Sequence, residues 1–239
     1  MRRIFLLFFL SALVAGCAHP IVISPEISSL KGNQTVEKSP KRLAYYFAED
    51  IDKEVTTPGG GGDNVRYKPY QQLDAGIYKA FSDFFNNVSL LKSSSDRARS
   101  DADYLAEISI STNSSSPSLL TWPPTLFGVN IEASFSDPKS GQKERILVSG
   151  EGRAEFSEFK GNFGLSAKRA SEDALNKLTA ALSNSNLFGL QSKSSTKAEN
   201  HSSRSKEDKL RDLKRLFDQG LIDLSVYNER QRAILAEEK

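Results

Sequence analysis

The first sixteen residues constrain this chain most, because they decide which part of it folds and in which compartment. Arg2 and Arg3 precede an almost unbroken apolar run at residues 4–13, and small residues lead to Cys17. The run is too short for a permanent membrane helix, and this order of charged, apolar and small residues is that of an export signal. Cys17 is the only cysteine. The exported part therefore has no internal disulfide and must be held together by its core.

The residues that end this signal are Leu13, Val14, Ala15, Gly16 and Cys17. They resemble the bacterial lipobox, which implies cleavage before Cys17 and acylation of its thiol, with palmitate or a similar chain, and of its new amino terminus. Several acyl chains make a stable membrane anchor. Ala18 follows the cysteine where an aspartate favours inner-membrane retention in enteric bacteria. The resemblance therefore implies an outer-membrane lipoprotein on the periplasmic face.

Other interpretations of the signal stay open. Cys17 could be an ordinary thiol after a cleaved secretory signal, or residues 4–13 could be an uncleaved anchor. Residues 2–6 also look like part of a twin-arginine export signal. That route usually serves proteins folded around a cofactor, and no cofactor site is visible in the sequence. The general secretory route is therefore favoured.

Charge and apolar content restrict the remaining chain. Removing Arg2 and Arg3 from 32 basic residues leaves 30, against 30 acidic residues. A net charge of zero gives no reason to expect nucleic acid as a partner. Fourteen Phe, seven Tyr and one Trp are enough to build one domain core. No later apolar run approaches the length of a membrane span.

Shifts in composition divide the chain into five segments. The residues after the signal are rich in Ser, Pro, Lys and Asn, as in a tether, and a second serine-rich stretch reads as a linker. The predicted boundaries are signal peptide 1–16, lipidated tether 17–40, periplasmic α+β domain 41–182, linker 183–205 and helical hairpin 206–239.

Hydrophobic periodicity predicts the elements of the α+β domain. Alternation indicates strands at 42–48 and 104–110, and a β-hairpin at 126–148 that turns at 137–141. A glycine-rich loop at 56–64 precedes a helix whose apolar face has spacings of three and four. The residues of that face are Tyr70, Leu73, Ile77, Phe81, Phe84, Phe85 and Val88. A second helix is expected at 165–182. The predicted fold is a small antiparallel sheet with two helices packed on it.

The last segment has the pattern of two short amphipathic helices. Leu213 and Phe217 lie on the first stripe, and Tyr227 and Ile234 lie on the second. Gly220 stands where a left-handed C-cap belongs. Residues 210–223, Tyr227 and residues 232–235 resemble the short C-terminal (SHOCT) domain family. The resemblance implies an interaction or oligomerisation module, with Leu213, Phe217, Gly220, Tyr227 and Ile234 as candidate interaction residues.

A weaker likeness concerns residues 40–182. Their element order is similar to that of small periplasmic lipoprotein domains, such as accessory proteins of lipopolysaccharide transport and TolB-type amino-terminal domains. No residue motif carries this likeness, so it is an analogy between folds.

The sequence offers few residues for catalysis or metal binding. His19 lies two residues after the anchor and His201 lies in the linker, so neither is expected to be held rigidly in a zinc site or a catalytic triad. The glycines at 59–62 lack the lysine of a phosphate-binding loop and are expected at a hairpin tip. Acidic residues at 50–54 lack the spacing of a calcium loop. We therefore expect no cofactor, no metal and no enzymatic activity.

Trp122, followed by two prolines, is the candidate contact residue of the domain. A proline-stiffened aromatic loop can form an interface hot spot, although it can equally close one end of the core. The favoured function is a non-catalytic lipoprotein that binds or braces another envelope component, while its hairpin mediates self-association or docking. The alternative is a lipoprotein that carries a lipid, glycan or peptide.

Overall fold

A computed structural model of the chain describes residues 18–32, 37–93, 95–96, 101–117, 122–159 and 161–185, together with residues 210, 211, 213, 214, 227 and 231. The chain divides into two compact units, Met1–Ser192 and Lys193–Lys239. The six described residues of the second unit are helical. Among the described residues, no helix combines the length and apolar character needed to cross a membrane.

The first unit has an α+β fold, which confirms the predicted class. In chain order its elements are β1 (Ala18–Pro20), β2 (Ser39–Phe47), β3 (Val55–Pro58), β4 (Asn64–Tyr67), α1 (Pro69–Ser82), β5 (Phe85–Leu90), β6 (Tyr104–Ser115), β7 (Leu126–Ser136), β8 (Lys143–Arg153) and α2 (Leu165–Ser183). Single turns of 3₁₀ helix lie at Ile27–Ser29 and Phe156–Glu158.

The strands form two sheets. The larger has the order β5-β2-β6-β7-β8, and the smaller has the order β1-β4-β3. In the larger sheet β6, β7 and β8 form an antiparallel meander, whose register pairs Ile110 with Ile131 and Ile131 with Val148. In the smaller sheet β3 and β4 form a hairpin, and β1 lies parallel to β4.

The larger sheet is mixed rather than antiparallel as predicted. Strand β2 runs parallel to both β5 and β6. Parallel neighbours need a crossover connection, and the chain makes one through α1 between β2 and β5. The sequence pattern identifies strands, but the direction of a pair depends on this long connection.

One face of the larger sheet carries the core. Strand β7 alternates buried and half-buried residues along its length, with Val129, Ile131 and Ala133 fully covered. Helix α1 packs Leu73 and Ile77 into the same core, and α2 lies on β7 and β8. The smaller sheet closes the core through Tyr67, whose ring meets Phe127 edge to face at 5.3 Å. The opposite face of the larger sheet carries mostly polar side chains.

Helix α1 ends earlier than its apolar spacing predicts. It stops at Ser82, and Phe85–Leu90 forms strand β5 against the edge of β2. Phe84 and Phe85 are buried, but on either side of a chain reversal rather than on one helix face. The asparagines at 86 and 87 have weak helix propensity, and Val88 is β-branched, so the strand is locally favoured.

Much of the predicted tether is instead packed on the domain. Ile21 and Ile23 are 5% and 0% exposed, and the Ile23 amide donates to Gln72 Oε1 at 3.0 Å. Further on, the amides of Glu26 and Lys31 donate to side chains of α2. The alternation of Ile21 and Ile23 about an exposed Val22 is the period of a half-buried strand, and burial of these two side chains holds the segment in place.

Candidate functional site

Three rings from distant parts of the chain meet where the described N-terminal segment begins. The His19 ring lies 4.3 Å from the Trp122 ring, centroid to centroid, and Phe163 lies 4.7 Å from Trp122 on tilted planes. His19 Nε2 also lies 3.4 Å from Asp63 Oδ2. Strand β1 positions His19, because its parallel pairing with β4 places His19 beside Val65.

The glycine-rich hairpin tip holds the backbone of Trp122. The Gly60 amide donates to the Trp122 carbonyl at 2.8 Å. A Cβ at Gly59 would lie only 2.4 Å from that carbonyl oxygen, so only glycine permits this approach. Gly61 and Gly62 then turn the chain with positive φ angles of 67° and 86°. The glycine run is therefore a hairpin tip, as predicted, and it supports the Trp122 backbone.

The start of α2 fixes the other side of Trp122. Pro123 and Pro124 are buried, and the hydroxyl of Ser166 donates to the Pro124 carbonyl. Gly164, which precedes the helix, has no room for a side chain, because a Cβ there would lie 2.2 Å from the Val22 carbonyl oxygen. The Val22 backbone therefore packs against Gly164, the residue after Phe163.

We call His19, Val22, Trp122 and Phe163 the anchor-side patch. Val22 is 62% exposed and Phe163 is 43% exposed, whereas Trp122 is partly covered and also packs against the core. His19 keeps 36% of its side chain exposed. The patch is thus an apolar and aromatic surface on a rigid base, and it begins two residues after Cys17.

The patch contains one residue that the sequence predicted and three that it did not. Trp122 fits both interpretations, because one side packs on the core while its ring borders an exposed surface. The expectation that His19 is not held rigidly is wrong, because pairing of β1 with β4 and contact with Trp122 fix its position. Phe163 lies in a glycine-broken stretch without periodicity, and only the apolar character of Val22 and Phe163 could have drawn attention to them.

No protein-family model matches the chain, and no curated protein matches it. Solved structures with a similar arrangement include a Xanthomonas campestris protein of family DUF330, at 13% identity and a TM-score of 0.37, covering 70% of this chain and 92% of that one. A candidate lipoprotein from Caulobacter crescentus has 17% identity and a TM-score of 0.27, covering 59% and 88%. The PelC dodecamer of Paraburkholderia phytofirmans has 10% identity and a TM-score of 0.35, covering 62% and 96%.

A concave feature lies elsewhere, on the polar face of the larger sheet. It is an open groove of about 650 Å³ over β6, β7 and β8. Asn113, Asn130, Ser149 and Glu151 contribute amide, hydroxyl and carboxylate groups, and the Asn113 side chain lies over Gly128, where a Cβ would clash with it. These groups can hydrogen-bond a polar ligand.

The remaining predicted site residues are only partly described. Cys17, Phe217, Gly220 and Ile234 lie outside the described residues. Leu213 is helical and buried, and Tyr227 is helical and half-buried. Because no family model matches, the SHOCT resemblance stays a prediction.

In the acidic stretch before β3, two carboxylates pair with basic side chains. Asp52 accepts from Lys68 Nζ at 2.8 Å. Within the described ranges, no three residues of the types that ligate metals converge on one point.

Proposed function

We propose that this protein is a lipid-anchored cell-envelope protein without catalytic activity, which binds or braces another envelope component at the periplasmic face of the outer membrane. One observation carries the proposal. The residues that follow the lipobox cysteine form a strand of the domain, and His19 packs on Trp122. An acyl anchor on Cys17 would therefore hold the folded domain directly at a membrane.

Lipidation of Cys17 is the first test of this proposal. We expect Cys17→Ser to accumulate as an uncleaved precursor that no fatty-acid probe labels, because the acylated thiol is gone. Ser11→Ala, inside the apolar run, is a control that should be processed normally. Processing and acylation of the Cys17→Ser protein would contradict the proposal. Recovery of the wild-type protein with inner-membrane markers on a density gradient would contradict only the outer-membrane location.

The bracing role is tested by what accompanies the protein out of the membrane. We expect a stoichiometric protein partner to co-purify after mild detergent solubilisation. A bound small molecule without any protein partner would instead favour the alternative function, a ligand-binding lipoprotein. The polar groove over β6, β7 and β8 supports that alternative, and its hydrogen-bonding groups suit a glycan or peptide better than a lipid.

The C-terminal hairpin is proposed to mediate self-association or docking. Two short helices bury too little apolar surface to be firmly stable alone, so their stripes gain by packing on another copy or on a partner. Gly220→Val places a β-branched residue where the predicted C-cap needs positive φ, at a cost of about 1–2 kcal/mol. We expect a smaller oligomer by light scattering with the first unit's melt unchanged. If the protein is a monomer with either glycine or valine at position 220, docking to another protein remains as the role of the hairpin.

A further inference from the structure

We propose that the anchor-side patch is a bilayer-contact surface, on which the domain rests with Trp122 and Phe163 in the lipid headgroup layer. The inference rests on the proposed lipidation of Cys17, but it adds a second and non-covalent contact. It assigns the patch to the membrane that carries the anchor. It also differs from the predicted lipidated tether at residues 17–40, which would separate the domain from the lipid.

The length of free chain decides how close the patch must lie. Successive Cα atoms are about 3.8 Å apart, so Cys17 lies within about 8 Å of the His19 Cα. One headgroup layer is about 5–8 Å thick, the difference between the whole bilayer and its hydrocarbon core divided over two sides. Acyl chains on Cys17 would hold that residue at the headgroups. His19 is therefore held close to the lipid surface, and the Trp122 ring, 4.3 Å from the His19 ring, can turn towards that surface.

The chemistry of the patch suits the headgroup layer better than water. Trp and Tyr collect at membrane interfaces because their rings are apolar and their polar atoms still find partners. Trp122 supplies such a ring, Phe163 packs on it, and Val22 and Phe163 add exposed apolar surface to the patch. The polar edge is supplied by His19 and Asp63, which face each other at 3.4 Å.

Because the patch is rigid, it suits a flat surface that is already next to it. The bilayer that holds the anchor is such a surface. Backbone contacts from Gly60 to Trp122 and from Val22 to Gly164 fix the loops that carry the rings. A contact with the bilayer needs no further partner, because the anchor delivers the patch to it. A protein docked on the same surface would have to fit between the domain and the lipid in the space left by two residues of chain.

Trp122 is the only tryptophan of the chain, so its fluorescence reports on this patch alone. The experiment uses the full lipidated protein, purified from membranes and reconstituted into vesicles of phosphatidylethanolamine and phosphatidylglycerol. We expect the emission of the reconstituted protein to lie at shorter wavelength than that of the reference sample. The reference is the same protein without its acyl chains, in detergent-free buffer. Lipids brominated near the glycerol end of their chains should quench the emission by about half, and lipids brominated at the methyl end should quench it less, as expected for a ring at the interface.

Variants of the patch test whether its apolar surface is responsible. Phe163→Ser and Val22→Ser should each reduce the quenching, because they remove exposed apolar surface from the patch. Leu147→Ser is the matched control, since Leu147 is 66% exposed on β8 and lies outside the patch. Its quenching should equal that of the wild type. Circular dichroism confirms that each variant is folded.

The outcomes separate this inference from the proposed function. Mass analysis of the Cys17 peptide first shows whether it carries acyl chains. An acylated, vesicle-bound protein whose Trp122 is not quenched by either brominated lipid overturns the bilayer contact and leaves the anchor in place. Equal loss of quenching in Leu147→Ser also overturns it. A Cys17 without acyl chains overturns both.

Discussion

Two glycines on β8 determine how closely α2 approaches the sheet. A Cβ at Gly152 would lie 1.9 Å from the Ser166 carbonyl oxygen, and one at Gly150 would lie 2.2 Å from that of Ala170. The helix meets them with small residues, Ala167, Ala170 and Ala174, all fully buried. Backbone therefore packs almost on backbone at this contact, and α2 has no room to accept even a methyl group.

Gly152→Ala is expected to destabilise the first unit. The added methyl group must push α2 away from β8, and overpacking of this kind costs about 1–3 kcal/mol. Chemical denaturation should show a lower midpoint with an unchanged slope. Ser149→Ala, on the solvent face of the same strand, is the control and should alter the midpoint little. An unchanged midpoint for Gly152→Ala would mean that α2 can shift at no cost.

Glu158 makes the stability of the first unit depend on pH. Hydrogen bonds from the Arg169 guanidinium and the Glu155 amide lower its pKa from 4.5 to about 2. A carboxyl group whose pKa is lower in the folded state contributes stability above its unfolded value, and that contribution is lost as the pH falls through its folded value. Glu158 therefore stabilises the fold above about pH 4.5 and ceases to do so near pH 2.

Glu158→Gln is expected to lower the thermal midpoint at pH 7, with a difference from the wild type that shrinks as the pH falls from 4.5 towards 2. Thermal melts across this pH window provide the measurement. Glu49→Gln, which removes a surface pair with Lys53, should produce a smaller change at pH 7. A difference that stays constant down to pH 2 would show that the hydrogen bonds to Arg169 and Glu155 do not act through the charge of Glu158.

At the scale of elements, helix α2 protects the outer edge of β8. Its side chains at intervals of four residues reach over to the free backbone groups of the strand. Arg169 donates to the Arg153 carbonyl at 2.7 Å, Asp173 accepts from the Glu151 amide at 3.0 Å, and Lys177 donates to the Ser149 carbonyl at 2.8 Å. Burial raises the pKa of Asp173, but hydrogen bonds from Lys177 and the Glu151 amide outweigh it and leave the pKa below its usual range.

Without these side chains, the edge of β8 is expected to pair with strands of other molecules. An unpaired edge is a template for another strand, and charged side chains are a common way to block it. Replacing Arg169, Asp173 and Lys177 together by alanine should produce association that grows with protein concentration, measured by light scattering. Arg145→Ala, also on β8, removes an exposed ion pair with Glu132 of β7 without uncovering backbone, so it is the control. Equal association of the two proteins would show that α2 does not guard the edge.

The elements that the sequence predicts well are those with one uninterrupted period. The hairpin of β7 and β8 and the helix α2 belong to this class. In each element one hydrophobic period continues over more than ten residues. At the end of α1 the spacing of Phe81, Phe84 and Phe85 fits a helix and a chain reversal equally well. The anchor-side patch was not predictable, because it brings His19 together with residues more than a hundred positions away.

At the scale of the whole molecule, the first unit should fold without the second. A fragment of residues 18–192 ends where the two units divide, and it contains the strand and the two isoleucines that the predicted tether supplies. We expect it to melt cooperatively, because the described core lies within it.

A fragment of residues 40–192 should melt at a lower temperature. It lacks Ile21 and Ile23, whose burial contributes about 1.5–3 kcal/mol each before the cost of ordering their segment. The melting temperature of the longer fragment with Ile23→Ala should lie between those of the two fragments. Equal midpoints for both fragments would show that residues 18–32 add nothing to the fold, and loss of the transition in residues 18–192 would show that the second unit completes the core.

The short parallel pairing of β1 with β4 has a mechanical consequence. Any force that pulls the domain away from a membrane-bound Cys17 acts first on β1, which is held by only three residue pairs. If β1 and the segment behind it detach, residues 18–32 can extend to about 50 Å before the load reaches the rest of the unit. The N-terminal segment can thus unfold under load and refold when the load is released, while the larger sheet stays intact.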